Sequence, residues 1–294
     1  MYQKGTGLYY KCHNCNAGMS IGNFLQLTNG ALYKEYILER YKAGESGRSN
    51  YKKPTFNIPT PKFGKVEKPV FEHGEYCDKL PKGHYCLDYL EKRQIPKEFY
   101  STMVYTDKYK TFVNTALPNN DKKLIEEARL VVLFFNEYNE LIAISGRALE
   151  NNDKTLRYIT LRTKESDDKL VYGLDRVDIT KRVLVVEGPI DSMFLDNCVA
   201  SGDANLTIAA KNIKADKKTL IFDNEPRNKE IVKMMKDAIN YGHDVVIWPD
   251  TIKQKDINEM IMSGYTKDEL EKIISNNTFS GLNAQAKFTF WKKV

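Results

Sequence analysis

The C-terminal third of the chain alternates short apolar runs with amphipathic segments, and this alternation constrains the fold more than any other feature. The runs RVLVVEG, TLIFDNE and HDVVIWPD are rich in Val and Ile, which is typical of buried strands. A segment with helical spacing follows each run: PIDSMFLDN follows the first, and NKEIVKMMKDAINYG, the clearest example, follows the second, with Gly242 at its expected C-cap. Further along, Thr266 and Glu269 have the spacing of a capping box. Strands that alternate with helices predict a mainly parallel sheet covered on both faces. We therefore expect strands 182–187, 219–223 and 244–248 to be neighbours.

Acidic residues follow each of these strands. In an open parallel sheet, ligands bind beyond the carboxyl ends of the strands, so these side chains are expected to converge on one edge. Converging carboxylates repel one another unless cations neutralise them, which indicates a site for Mg²⁺ or Mn²⁺. Taken singly, each acid is as readily a solvated charge or a helix N-cap. The set comprises Glu187, Asp191, Asp223, Glu225, Asp250 and Asp256.

The residues before this region predict smaller elements. Ser20 is a plausible N-cap for a helix that the pair Asn29-Gly30 interrupts. Residues 43–72 contain four prolines and a surplus of lysine, a composition typical of a linker. LDYLEKRQIPKEF has helical spacing up to Pro96, and RLVVLFFNEYNELIAISGRAL reads as two strands joined by a turn.

The cysteines and the composition limit the class of protein. Five scattered cysteines argue against a disulfide framework, and no apolar run approaches the ~20 residues of a membrane helix. We therefore expect a soluble intracellular protein, and the net charge of +6 fits partial contact with a polyanion. Cys12 and Cys15 have the C-x-x-C spacing of a zinc knuckle but supply only two of the four ligands. The spacing of His73, Cys77, His84 and Cys86 fits no familiar zinc arm, and Cys77, Cys86 and Cys198 are expected to be small buried residues.

Three motifs carry a family resemblance. VEGPIDS, FDNEP and KDIN resemble the lone Glu, the D-x-D pair and the late acidic motif of the TOPRIM domain. Upstream, SGRAL, RYITLRT and LVYGLDRV resemble the N-terminal half of the polymerase core of bacterial-type primases. From about residue 8 to the C-terminus, the chain resembles the TOPRIM primases, and those of T-even bacteriophages in particular.

The resemblance implies an α/β fold. We expect a TOPRIM-type, mainly parallel sheet with flanking helices, preceded by an α+β primase-core subdomain and a small partial zinc-ribbon module. The implied segments are a zinc-ribbon module and helix, a linker, the first part of the polymerase core, the TOPRIM domain and a basic aromatic tail. They span residues 1–42, 43–75, 76–180, 181–278 and 279–294 respectively.

The resemblance also implies an activity. A primase synthesises short RNA primers on single-stranded DNA from ribonucleoside triphosphates, with Mg²⁺ or Mn²⁺ and beside a replicative helicase, here in the cytoplasm of a bacterial host. It makes Glu187, Asp223 and Glu225 the catalytic metal-binding acids, with Asp191 and Asp256 in support. The residues expected to bind substrate or nucleic acid are Arg129, Arg147 and Lys255. Two interpretations stay open for Tyr158 and Tyr172: they stack on bases or, as is more common for tyrosines in strands, they pack in the core.

The chain departs from the family pattern in two places. The second acid of the D-x-D pair is Glu225, one methylene longer than aspartate. The first C-x-x-C arm of the zinc ribbon would precede Met1, on a segment that this chain lacks or on another polypeptide. We expect Cys12 and Cys15 to hold zinc weakly at best on their own.

Two other functions remain open from the sequence. A TOPRIM nuclease would use the same acids to cut nucleic acid, and a truncated, primase-like accessory protein would bind single strands or helicase without synthesis. A topoisomerase is disfavoured, because the chain has no long additional region to form a strand-passage gate. The basic aromatic C-terminus either contacts helicase or nucleic acid, or packs on the body through Trp291.

Overall fold

The computed structural model describes residues 1–4, 7–12, 18–43, 68–118, 120–150, 155–164, 169–202 and 205–294. The chain divides into two compact units, Met1–Lys65 and Val66–Val294. Most of the predicted linker, residues 44–67, lies outside the described residues. The finer division into five segments stays a prediction. None of the helices in the described segments combines the length and the apolar content needed to cross a bilayer.

The first unit contains a three-stranded antiparallel sheet followed by two helices. The predicted helix start and break are confirmed, because Ser20 Oγ accepts the Asn23 N–H at 3.3 Å and the helix stops at Asn29. The Asn29 side chain then accepts the N–H groups of Ala31 and Leu32, and so caps the second helix. The elements are β1 (Tyr2–Lys4), β2 (Gly7–Lys11), β3 (Gly18–Ser20), α1 (Ile21–Thr28) and α2 (Gly30–Lys42).

The second unit begins with a five-stranded antiparallel sheet. Its strand order is β4-β5-β6-β7-β8, and the predicted hairpin is confirmed as the central pair β6 and β7. Asn139 adopts a left-handed conformation in the turn, with φ of 60°. The elements are β4 (Glu75–Tyr76), α3 (Tyr85–Lys92), β5 (Met103–Thr106), α4 (Tyr109–Ala116), β6 (Arg129–Phe135), β7 (Leu141–Ala148) and β8 (Tyr158–Arg162).

A bulge in this hairpin decides where its two arginines point. Phe135 pairs with Leu141, but the register then shifts by one residue, so that Arg147 lies opposite Leu130 and Arg129 lies opposite Ala148. Residues directly opposite each other share a face and successive residues alternate. Arg129 and Arg147 therefore project from opposite faces of the sheet.

The expectation that Arg129 faces the substrate is corrected by this geometry. Its side chain is fully buried and forms an ion pair with Glu127. The guanidinium also donates to the carbonyl oxygens of Gly146 and Leu156, and it lies over the Tyr109 ring, 5.1 Å from the centroid. Arg129 holds the hairpin and its neighbouring segments together from the inside.

The other sheet of the second unit has six strands in the order β14-β13-β12-β10-β11-β9. Strands β13, β12, β10 and β11 are parallel, which confirms that the three predicted strands are neighbours. The edge strands β9 and β14 are antiparallel and were not predicted from the sequence. The elements are β9 (Val171–Tyr172), β10 (Val183–Val186), α5 (Pro189–Ser192), β11 (Cys198–Ser201), α6 (Leu206–Lys211), β12 (Lys218–Leu220), α7 (Lys229–Asn240), β13 (Asp244–Val246), α8 (Ile257–Met262), α9 (Lys267–Asn276), β14 (Thr278–Phe279) and α10 (Gly281–Trp291).

Several local predictions hold in this part of the chain. Thr266 and Glu269 form the expected capping box of α9, and Gly242 has a φ of +81° just after α7. The helix predicted over PIDSMFLDN is shorter than expected, since α5 has only one turn. The basic aromatic C-terminus forms α10, which buries Trp291 against the body. The cysteines expected to be buried are Cys77, Cys86 and Cys198, and all three are.

The structural role of Arg129 leads to a stability prediction. Changing Arg129→Met leaves the half-buried Glu127 without its ion-pair partner and removes the buried hydrogen bonds to Gly146 and Leu156, so the free energy of unfolding should fall by about 3 kcal/mol. Urea denaturation followed by tryptophan fluorescence measures this, because both tryptophans, Trp248 and Trp291, lie in the second unit. The exposed Arg182→Met is the control, with an expected change within about 0.5 kcal/mol. Unaltered stability in Arg129→Met would return Arg129 to the list of candidate substrate-binding residues.

Candidate active site

The carboxyl ends of the central parallel strands bring two acids into direct contact. Glu187 follows the last residue of β10, and its Oε1 accepts the backbone N–H of Asp223 at 3.1 Å. Trp248, beyond β13, donates its indole N–H to the Phe222 carbonyl oxygen at 2.8 Å and so fixes the segment that carries Asp223. Glu187 and Asp223 line the same cavity of about 400 Å³.

Asp191 approaches the same cavity from the single turn of α5. Its Oδ1 accepts the backbone N–H of Asn258 at 2.9 Å, at the start of α8. The carboxylate lies so close to Gly188 that a Cβ atom on that residue would be 2.5 Å from Asp191 Oδ2. The glycine after Glu187 is therefore required by the close approach of the acid.

The residue between the two acids of the D-N-E motif organises the loop on the other side. Asn224 donates its backbone N–H to Lys255 O at 2.7 Å, and its side-chain amide donates to Ile252 O at 3.0 Å and Gln254 O at 3.2 Å. Its Oδ1 accepts the indole N–H of Trp291 at 3.1 Å. The motif thus anchors both the loop before α8 and the C-terminal helix.

Among the described residues, Lys255 is the cationic side chain that pairs with both acids of the D-N-E motif. Its Nζ lies 3.1 Å from Glu225 Oε2 and 3.6 Å from Asp223 Oδ2. Burial lowers the pKa of Lys255, but the hydrogen bond and the charges of these two carboxylates outweigh burial and raise it overall. Lys255 was expected to contact a triphosphate, and in this structure it is paired with the acids.

Burial and mutual repulsion make these acids hard to ionise. Burial, followed by the charges of Glu187 and Asp191, raises the pKa of Asp223 to about 8, although Lys255 opposes this. Burial, followed by the charge of Asp256, raises the pKa of Asp191 to about 7. Burial also raises the pKa of Glu187, and the hydrogen bond from Asp223 works against it. The site therefore favours binding of positive charge.

The remaining acids differ in their placement. Asp256 lines the cavity, and its Oδ1 also accepts the Glu259 N–H at 2.8 Å as the N-cap of α8. Glu225 is linked to Asp223 through the ammonium group of Lys255, which contacts both carboxylates. Asp250 was expected on the same edge, but it is exposed and lines a neighbouring groove with Arg227 and Lys253, because the chain turns away after Trp248.

Arg147 forms part of the basic wall of the cavity. It is 6 % exposed, and its guanidinium lies 4.9 Å from the Tyr158 ring centroid and 5.5 Å from that of Tyr89. Tyr158 is directly opposite Arg147 on β8, and its hydroxyl accepts a hydrogen bond from Arg147. Arg147 Nε is buried without a hydrogen-bond partner among the described residues. A buried unpaired donor is costly, so Arg147 keeps an unmet hydrogen-bonding capacity beside the cavity. Packing in the core was the favoured interpretation for Tyr158, but it is 39 % exposed and lines the cavity.

Among the cavity residues that the sequence did not predict, Arg93 and Asn258 are bonded to each other. Arg93, just after α3, donates from Nη1 to Asn258 Oδ1 at 2.5 Å and accepts the Asn258 side-chain amide at its carbonyl oxygen at 2.8 Å. Asn258 is 2 % exposed, and its backbone also contacts Asp191. Both lie in LEKRQIP and KDIN, but nothing local in those segments distinguishes them. Their pairing joins α3 to the acidic edge of the six-stranded sheet.

The donor set fits a hard divalent cation, although it is not preassembled. In the described part of the chain, no three His, Cys, Asp or Glu side chains are gathered in the geometry of a metal centre. The acids nevertheless supply only carboxylate oxygens, which Mg²⁺ and Mn²⁺ prefer. Lys255 already places a positive charge between Asp223 and Glu225. Glu187, Asp191, Asp223, Glu225 and Asp256 are therefore the candidate ligands for such a cation.

The described cysteines add no metal centre to this picture. Cys12 is half-buried at the end of β2, and Cys15 lies outside the described residues, so the zinc prediction stays a prediction. In the other cluster, the Cys77 thiol interacts with buried Cys86, and hydrogen bonding and burial raise its pKa. His84 Nδ1 accepts the Cys86 N–H at 3.1 Å as the cap of α3.

Comparison with known proteins agrees with this architecture. No protein-family model matches the chain. The DNA primase of Enterobacteria phage T4 is 32% identical over an alignment of 304 residues, gaps included, that covers 99% of this chain and 86% of that protein. The chain belongs to the DNA primase family. The activity of this family is DNA-directed synthesis of RNA primers, which is a nucleotidyl transfer.

Solved primase structures share the fold. The Aquifex aeolicus primase, with its zinc-binding and RNA polymerase domains, superposes with a TM-score of 0.54 at 19% identity, over 92% of this chain and 73% of that one. The Escherichia coli primase catalytic core gives a TM-score of 0.52 at 17% identity, over 73% and 78%. A DnaG primase catalytic domain bound to single-stranded DNA gives 0.52 at 16% identity, over 74% and 77%. The mixed α/β fold is therefore that of primase catalytic cores.

The raised pKa of Asp223 leads to a prediction about stability and pH. Between the ordinary pKa of 3.8 and about 8, the folded protein keeps a proton that the unfolded chain has lost. Stability without divalent cations should therefore fall as the pH rises across this window. Asp223→Asn should make that slope shallower and raise the melting temperature at pH 7 by a few degrees, or about 1–2 kcal/mol.

Thermal unfolding in EDTA between pH 5 and pH 9 tests this prediction. Asp250→Asn removes an exposed acid outside the cavity and should leave the slope as in the unaltered protein. Parallel pH profiles for the unaltered protein and Asp223→Asn would contradict the burial-driven shift.

Proposed function

We propose that this chain synthesises RNA primers on a single-stranded DNA template by adding ribonucleoside triphosphates at the cavity between the two sheets of its second unit. One observation carries the residue-level proposal. The cavity is lined both by acids able to hold a divalent cation and by Arg147, whose Nε is a buried unpaired donor. A transferring phosphate group needs this combination of hard-cation ligands and fixed positive charge.

The acids have distinct proposed roles. Glu187, Asp223 and Glu225 hold Mg²⁺ or Mn²⁺, with Asp191 and Asp256 in support, either directly or through water. The bound cation would neutralise charge on the reacting phosphate oxygens and align the attacking hydroxyl group. The Asp223 N–H bonded to Glu187 Oε1 fixes the orientation of one carboxylate, and the Asn258 N–H does the same for Asp191. These hydrogen bonds set the acids before substrate arrives.

The basic wall orients the nucleotide. Arg147 is held between the rings of Tyr89 and Tyr158, so its guanidinium loses little freedom on binding a phosphate. Arg93, fixed by Asn258, and Lys255 add positive charge along the same cavity. Arg129 is left out of this proposal, since the fold buries it on the other face of the hairpin.

The proposal extends to partners and location. We propose that a replicative helicase acts beside this chain and that both work in the cytoplasm of a bacterial host. The N-terminal unit would act as a partial zinc ribbon, with Cys12 and Cys15 as its second arm and additional ligands required for tight zinc binding. The five predicted segments remain the proposed division of labour.

Primer synthesis is tested by incorporation of labelled ribonucleotides on a single-stranded template with Mg²⁺, with and without helicase. Glu187→Gln removes one cation ligand but keeps the shape and hydrogen-bonding capacity of the side chain. Incorporation should fall by at least about 100-fold, because charge on the reacting phosphate is no longer matched. The control Asp250→Asn removes the same charge from a strand end outside the cavity and should keep full activity.

The same assay separates the alternatives. Absence of incorporation by the unaltered protein under both conditions would contradict the proposal. Strand cleavage that depends on Glu187 would instead identify a nuclease that uses the same acids. Binding of single strands without either reaction would identify an accessory protein.

A further inference from the structure

Lys255 occupies the space between two acids that are proposed to hold the divalent cation. Its ammonium group lies 3.1 Å from Glu225 Oε2 and 3.6 Å from Asp223 Oδ2. A divalent cation bound by these residues needs the same oxygen atoms at about 2.0–2.1 Å. The ammonium group and the cation therefore cannot occupy this position together.

The backbone on both sides of Lys255 fixes this arrangement. Its carbonyl oxygen accepts the Asn224 N–H at 2.7 Å, and its own N–H donates to Glu259 Oε2 at 2.9 Å. Asn224 lies between Asp223 and Glu225 in the sequence. Its hydrogen bond therefore attaches the backbone of Lys255 to the motif whose charges the lysine neutralises. An untethered surface lysine pairs weakly with an acid, but here the backbone keeps the ammonium group close.

The electrostatics of the site require such a charge. The acids Glu187 and Asp191 line the same cavity as Asp223. In this structure the ammonium group of Lys255 contacts both Asp223 and Glu225. Lys255 also lines the cavity, so its ammonium group has open space beside the acids.

We propose that Lys255 is a tethered counter-ion that competes with the divalent cation for Asp223 and Glu225 and leaves them when that cation binds. This inference rests on the proposed function for the identity of the metal-binding acids. It makes Lys255 a positioning residue. The lysine keeps the acids together in the empty site and sets how tightly the metal binds.

The experiment titrates the full chain with Mn²⁺ alone, without nucleotide or DNA, and follows free Mn²⁺ by electron paramagnetic resonance. Lys255→Gln should tighten Mn²⁺ binding by about tenfold, since the competing charge is gone. The matched control is Lys253→Gln, which removes the same charge from the same loop, where that side chain lines the neighbouring groove. Its Mn²⁺ affinity should equal that of the unaltered protein, and Lys255→Arg should retain the competition.

Thermal unfolding supplies a second measurement. Without metal, Lys255→Gln should melt at a lower temperature than Lys253→Gln, because Asp223 and Glu225 lose their neutralising charge. Added Mn²⁺ should raise the melting temperature of Lys255→Gln by more than that of Lys253→Gln. A protein that simply misfolds would show neither tighter binding nor this recovery.

The outcomes distinguish this inference from the proposed function. Equal or weaker Mn²⁺ binding by Lys255→Gln overturns the inference and leaves primer synthesis standing. Absence of Mn²⁺ binding by every variant overturns both the inference and the proposed metal-binding acids. Tighter binding by Lys255→Gln, together with an unaltered protein that incorporates no ribonucleotide, supports the counter-ion and overturns primer synthesis.

Discussion

Repulsion among carboxylates at the ends of neighbouring parallel strands is the constraint on which the site depends. Parallel pairing of β10 and β12 places Glu187 and Asp223 in hydrogen-bond contact, and α5 brings Asp191 to the same cavity. Burial makes the repulsion stronger, as the raised pKa values of Asp223 and Asp191 indicate. The surrounding structure keeps the acids together by giving each a fixed donor or cation.

The neutralising groups come from both sheets of the second unit. Asn258 and Arg93 form two hydrogen bonds with each other, so the end of α3 is attached to α8, whose N-cap is Asp256. Asn224 does the same for the Lys255 loop and for Trp291 of the C-terminal helix. A cavity built in this way changes shape only if several hydrogen bonds move together, which favours a preorganised site.

Much of the fold follows from local signals. Three of the four parallel strands were predicted from their apolar runs, and the helix boundaries at Ser20, Thr266 and Gly242 from capping residues whose effects reach only a few neighbours. The parallel strand β11, the antiparallel edges β9 and β14 and the shortness of α5 were not predicted. Strands of two residues carry too little periodicity to be recognised, and edge pairing depends on contacts distant in the chain.

The placement of the two arginines shows where local information ends. If the pairing of Phe135 with Leu141 continued without interruption, Arg129 would lie opposite Arg147 and share its face. The bulge between Phe134 and Phe135 shifts the register by one residue and turns Arg129 into the core. Nothing in the sequence of the hairpin marks that bulge.

The sequence by itself determined the acidic residues, the order of their motifs and the strands that carry them, since strand and helix periodicities are properties of short segments. Only the tertiary structure decided which charges meet. It turned Asp250 and Arg129 away from the cavity, brought Arg93 and Asn258 into it, and placed the ammonium group of Lys255 between Asp223 and Glu225. The physical reason is that charges interact strongly only when they lie a few ångströms apart in space. The separation of two residues in the sequence does not determine how far apart they lie in the folded chain.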